Sequence, residues 1–172
     1  VLAPITLVAL FFIAAPYGRY SSDAWGPMIP QKVAWMVMES PSCLLFLGLF
    51  IFSDTGLNLV HWVFLAMWQA HYFHRVFIYP RQIRGTDRKM ALLLVFFGFL
   101  FNCINAYVNA RFLFHFAESP EMTWFVDPRF IFGAFLFVSG MWINKRSDAV
   151  LHRLRKEGAS ASYTIPNIGL FK

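Results

Sequence analysis

An acid, a phenol, two imidazoles and a guanidinium sit inside strongly apolar sequence: Glu39 in one run, and His71-Tyr72-Phe73-His74-Arg75 near the end of the next. A charged group at membrane depth costs roughly 2.5 kcal/mol or more, so such residues are functional suspects by default. A carboxyl shielded from water is driven toward its neutral form and can share a proton with a phenol. Such a pair can donate a short hydrogen bond to a carbonyl oxygen as negative charge develops on it. The plainer reading makes Glu39 a structural hydrogen-bonding residue and Tyr72 an interfacial aromatic, and spacing leaves both open. Pro41 removes the amide that would bond the Val37 carbonyl, so a kink is expected beside the acid.

Other polar groups recur at depth. His71 and His74 are three residues apart, but only His61, His115 and His152 accompany them, scattered. Histidine-rich membrane metal sites need several histidine boxes, so no metal is assigned, and hydrogen bonding to neighbouring helices or headgroups is the preferred role. Asn102, Asn105 and Asn109 share one helical face with Ala106 and Ala110 beside them. They bond between helices at a close approach, or they form the polar wall of a ligand cavity. Farther on, Asn144, Asp148 and Arg155 are spaced by four and seven, on one face within about 40° and over about 16 Å if the helix continues. That span is comparable with an extended dinucleotide, whose phosphate suits an arginine. A solvated juxtamembrane helix is the competing reading. Neither a G-x-G-x-x-G nor a P-loop occurs, which excludes those nucleotide sites.

The elements that must position these groups follow from composition. The 172 residues are 58% hydrophobic and only 14% charged, against about 25% charged in an ordinary soluble domain. The fold class expected is an all-α integral membrane protein, a single transmembrane domain over 1–172. Five apolar runs, roughly 1–15, 33–52, 57–79, 90–117 and 130–143, are read as spans. The first begins at Val1 without a basic leader and is taken as a membrane helix missing its start. Lys and Arg concentrate in 16–32, 80–89 and the tail from Asn144 onward. Those segments are therefore assigned to the cytosol, which puts the N-terminus on the lumenal or periplasmic side. The net charge of +6 then reflects this rule rather than nucleic-acid binding. Cys43 and Cys103 lie in apolar runs without CxxC spacing and read as packing residues. Pro27 and Pro30 are expected to keep the chain extended before the helix of Trp35. With Val33 and Tyr79 as the cytosolic ends, Glu39 and Tyr72 lie about 9 and 10 Å deep, so they are expected to meet across adjacent helices.

The ordered stretches carry a family resemblance. Pro16-Tyr17-Gly18-Arg19-Tyr20, Ala34-Trp35 with Glu39-Ser40-Pro41-Ser42, His71-Tyr72-Phe73-His74-Arg75, Asn105-Ala106-Tyr107, Asp127-Pro128-Arg129-Phe130, Gly140-Met141-Trp142-Ile143-Asn144 with Ser147-Asp148, Leu154-Arg155-Lys156 and Tyr163-Thr164-Ile165-Pro166 closely resemble the steroid 5α-reductases. The resemblance implies NADPH-dependent reduction of the Δ4 double bond of 3-oxo-Δ4 steroids. It implies Glu39 and Tyr72 as the carbonyl-binding pair and Trp35 and Tyr17 as substrate-cavity residues. It places Asn144, Asp148 and Arg155 at NADPH, with Arg75, Arg84 and Tyr163 as further cofactor candidates, and makes 144–172 the cytosolic cofactor-binding segment. The partners implied are steroid, NADPH and the lipid bilayer, with no nucleic acid, and a monomer is expected. The host membrane is endoplasmic reticulum or bacterial inner membrane.

The chain departs from the family pattern at Met38, where glutamine is usual, and at Ile168-Gly169, where Gly-Gly is usual. The family continues for two more helices, about seven in all, which add asparagine, arginine and histidine contacts to the cofactor. The alternatives are a related membrane enone reductase acting on polyprenal or enoyl-CoA, and a non-catalytic membrane interaction protein.

Overall fold

A computed structural model of the chain describes residues 8, 11–12, 23–54, 56–83 and 88–157, with side chains described as far as 151. A short 3-10 turn, Asp23–Trp25, leads into strand β1 (Met28–Pro30), then helix α1 (Gln31–Ile51). Helix α2 (Leu59–Phe73) runs through a π turn, His74–Ile78, into α3 (Tyr79–Gln82). Strand β2 (Lys89–Ala91), α4 (Leu92–Arg111) with its own π turn Phe112–Phe116, a 3-10 turn Met122–Val126 and α5 (Pro128–Glu157) complete the order.

The prolines before α1 do what their chemistry requires, since a fixed φ and the restriction on the preceding residue hold this stretch extended. Gly26, at φ 96°, supplies the left-handed corner just before it, and its amide bonds the Asp23 carbonyl. The extended piece pairs antiparallel with β2, Met28 opposite Ala91 and Pro30 opposite Lys89. The Leu92 amide bonds the Pro27 carbonyl and the Gln31 amide bonds that of Arg88, which lengthens the ribbon at both ends. This two-stranded ribbon is a departure from the purely helical expectation. It ties together the segments that charge counting assigns to one side of the membrane.

The two opposite loops are tied as well. Ser53 Oγ donates to the Phe114 carbonyl at 2.6 Å, and Asn58 Nδ2 to that of Pro120 at 2.5 Å. Asn58 also starts α2: its side chain accepts from the Val60 and His61 amides, while its own amide bonds His61 Nδ1 at 3.1 Å. That reciprocal cap satisfies amides that the first helical turn leaves unbonded, and it accounts for the buried His61 without any ligand.

Of the five apolar runs, two are helices long and apolar enough to cross a membrane among the described residues: Gln31–Ile51, and Leu92–Phe116. The third run is helical from Leu59 to Gln82 but interrupted by its π turn, and α5 is apolar only in its first half. Run 1–15 lies outside the described residues apart from Val8, Phe11 and Phe12, all exposed.

Helix α1 is central, packed along α4 and against α2 and the π turn after it. Phe46, Phe50, Leu65, Ala106, Ala110 and Phe114 form the main buried cluster, with Trp68 stacked on Phe46 at 4.2 Å between ring centroids. The alanines on α4 let it approach α1 closely, as small residues do between membrane helices. The Val37 carbonyl released by Pro41 takes a hydrogen bond from Ser40 Oγ at 2.9 Å, so the residue beside the proline repairs the gap it makes.

Candidate active site

Glu39 follows Trp35 by one turn on α1, while His71 and Tyr72 end α2 and Arg75 falls inside the π turn. Trp35, Glu39, Tyr72 and Arg75 line one cavity of about 450 Å³, together with Asn144 from α5. Gly98 and Asn102 of α4 close another side. That volume lies within the ~300–1,000 Å³ usual for small-molecule pockets. A larger apolar depression of about 820 Å³, between Trp25, Val37 and Phe96, holds none of the candidate polar side chains. The chemistry therefore points to the smaller cavity.

Arg75 decides the electrostatics. Its Nη2 and Nε both donate to Glu39 Oε1, at 2.7 and 3.2 Å. Its guanidinium carbon stands 4.4 Å from the Trp35 ring centroid and 5.1 Å from that of Tyr79. The two rings meet edge to face at 5.3 Å, so the cation is held by an acid and two aromatic faces. π turns are frequent at functional sites, and this one places Arg75 opposite an acid 36 residues earlier.

Glu39 and Tyr72 share the cavity but are not hydrogen-bonded to each other. The proton-sharing pair expected from depth is replaced by two separate partnerships, Glu39 with Arg75 and Tyr72 with Asn105, whose Nδ2 donates to the phenol oxygen at 3.2 Å. The difference is one of side-chain direction, which depth along a helix does not carry.

The asparagine face of α4 serves both roles that its spacing allowed. Buried Asn102 lines the cavity and also bonds α1, accepting from Ser42 Oγ at 2.6 Å while donating to the Gly98 carbonyl at 2.9 Å. Gly98 was not singled out by spacing. A methyl group there would overlap the Met38 thioether, so the glycine is what admits Met38 to the cavity wall. The clue in the sequence is a small residue four before Asn102 on its face.

Helix α5 runs unbroken from Pro128 to Glu157, so Asn144, Asp148 and Arg155 do lie on one helix. Asn144 reaches the cavity. Lys145 is within electrostatic reach of His71 and His74, and Asp148 of His74. The side chain of Arg155, and Tyr17, Arg84 and Tyr163 altogether, lie outside the described residues. Among the described residues no three potential metal-ligating side chains cluster.

A protein-family model described as 3-oxo-5-alpha-steroid 4-dehydrogenase matches residues 88–172. The steroid 5-alpha-reductase DET2 of Gossypium hirsutum is 37% identical over 178 residues, covering 100% of this chain and 67% of that protein. The chain belongs to the steroid 5-alpha-reductase family. Two animal members agree. The 3-oxo-5-alpha-steroid 4-dehydrogenase 2 of Rattus norvegicus is 39% identical over 96% of this chain and 65% of its own length. The 3-oxo-5-alpha-steroid 4-dehydrogenase 1 of Bos taurus is 37% identical over 99% and 67%. The chain thus spans about two thirds of the length of these steroid 5-alpha-reductases, and the cavity at Glu39 and Tyr72 falls within the shared part.

Proposed function

We propose that the protein reduces the Δ4 double bond of 3-oxo-Δ4 steroids with NADPH, giving 5α-reduced 3-oxosteroids. The observation that carries this reading is that Glu39 and Tyr72, from two different helices, line one cavity that extends to Asn144. NADPH, when bound, supplies the hydride that ends at C5. The C4–C5 electron pair then moves toward the C3 oxygen, and a proton taken up at C4 restores the ketone.

The chain's own part is to bind that oxygen and exclude water. Tyr72 donates its hydroxyl hydrogen to the C3 oxygen as charge builds there, an oxyanion-type contribution. Glu39, with one oxygen engaged by Arg75, fixes that guanidinium in the wall of the cavity where the carbonyl would lie. Trp35 and Phe101 give the cavity apolar walls suited to a steroid ring.

The donor set fits a nicotinamide dinucleotide. Asn144 offers an amide at the cavity, Asp148 a carboxylate one turn on, and Lys145, Arg146 and Arg155 positive charge along the same helix. A carboxylate suits ribose hydroxyls and cations suit phosphates. The arrangement further proposed is a five-span unit in the endoplasmic reticulum or bacterial inner membrane, acting as a monomer, with 144–172 in the cytosol. The paired loops on each side support that alternation.

The test is product analysis with the membrane-reconstituted protein, a 3-oxo-Δ4 steroid and NADPH deuterated at the nicotinamide C4. Deuterium at C5 of a 5α product is expected. Reduction of a polyprenal or a trans-2-enoyl-CoA with the steroid untouched would overturn the substrate assignment, and inertness toward all three would overturn the enzymatic one.

A further inference from the structure

We infer that Asn105, held by Asn109, sets the direction of the Tyr72 hydroxyl hydrogen, so that the phenol presents its proton to the cavity. The inference rests on the reaction proposed above and adds a positioning residue to it. A backbone carbonyl can only accept, and Asn109 lies 2.8 Å from the Asn105 carbonyl through the amide end that must therefore be Nδ2. The same nitrogen is 3.1 Å from the Asn105 side chain, which must meet it with Oδ1. The other end of that amide, Nδ2, is then the end that faces Tyr72 Oη, at 3.2 Å. One consistent sense runs from carbonyl to phenol, and an amide flip at either asparagine would put two donors or two acceptors together.

An amide nitrogen only donates, so the phenol oxygen accepts from Asn105 and its own hydrogen must point elsewhere. The ring cannot easily turn away, being packed against Trp68 at 4.8 Å and edge-on to His71 at 5.0 Å. Among the described residues Tyr72 donates to no acceptor, and the open space beside it is the cavity that Glu39 and Asn144 also line. A hydroxyl that accepts one hydrogen bond is polarised into a better donor. Asn105 thereby prepares Tyr72 for a carbonyl oxygen, and it continues to donate to the phenol oxygen as negative charge is shared onto it.

The test is a double-mutant cycle on steroid reduction, with NADPH affinity measured on each variant. Asn105→Asp keeps the shape but replaces the donor with an acceptor that captures the phenol proton. It is expected to lower kcat by about 10²-fold, the scale of one oxyanion donor, with NADPH affinity and steroid KM within about threefold. In a Tyr72→Phe background the same change is expected to cost almost nothing, because no hydroxyl remains to be turned. Equal losses in both backgrounds, or unchanged kcat, would overturn the relay. Should Asn105→Asp fail to fold, Asn109→Ala at its exposed position decides by the same cycle: a several-fold kcat loss that vanishes with Tyr72→Phe supports it, and an additive or absent loss overturns it. Loss of turnover in Tyr72→Phe alone, with both asparagines neutral, would leave the proposed reaction standing and remove only this inference.

Discussion

Arg75 places two N–H donors on a single oxygen of Glu39, across the junction between α1 and the π turn that follows α2. The pair is largely shielded, with side-chain exposures of 21% and 9%. Removing one partner strands the other charge away from water, which typically costs about 3 kcal/mol or more. Arg75→Leu is therefore expected to be strongly destabilised in a denaturant or thermal unfolding experiment in detergent. Arg75→Lys, which keeps the charge but not the fork, should fall between the two. An unfolding midpoint for Arg75→Leu equal to that of the parent would show that the pair is incidental.

Gly98 and Met38 form a second coupled pair. Gly98→Ala brings a methyl group onto the Met38 side chain and is expected to cost about 1–3 kcal/mol by overpacking. Met38→Ala in the same protein should recover most of that loss, because it removes the atoms in conflict. Additive destabilisation of the double variant would mean that the two residues do not meet. The same pair bears on substrate fit, since both line the cavity.

Much of this was legible in the sequence, and the reasons differ by element. The apolar runs that became α1 and α4 were readable because lipid-spanning length leaves a long, uninterrupted signal. Pro27 and Pro30 announced the extended stretch of β1 through backbone chemistry alone. Equal depth put Glu39 and Tyr72 at one level of the helices, and both line one cavity, but not as the bonded pair that depth suggested. The β1–β2 ribbon did not follow, because three-residue strands some sixty positions apart leave no periodic trace. Nor did the choice of partners: whether Glu39 faces Tyr72 or Arg75 depends on where the π turn begins and how each side chain leaves its helix. Gly98 was silent because its importance lies in an atom it lacks.

At the opposite end of the fold, Asp127 accepts from both the side chain and the backbone amide of Arg129, and these bonds, the side-chain ones foremost, hold its carboxyl down at about 2. Asp127 thereby caps the start of α5, ahead of Pro128. A depressed folded-state pKa contributes stability that is fully present above the ordinary carboxylate value near 3.8 and is lost as pH falls toward about 2. The effect is small because the pair is in contact with solvent. Melting temperature measured from pH 5 to pH 2 should fall less steeply for Asp127→Asn than for the parent protein. Parallel curves would remove the cap from the acid response.

The most direct test of the central claim is steady-state turnover of Tyr72→Phe with a 3-oxo-Δ4 steroid and NADPH. The change deletes one oxygen from a side chain whose ring packing against Trp68 and His71 is otherwise kept. A fall in kcat of about 10²-fold or more, with NADPH affinity unchanged, is the result expected if this hydroxyl holds the enone oxygen during reduction. Turnover equal to that of the parent protein would contradict it.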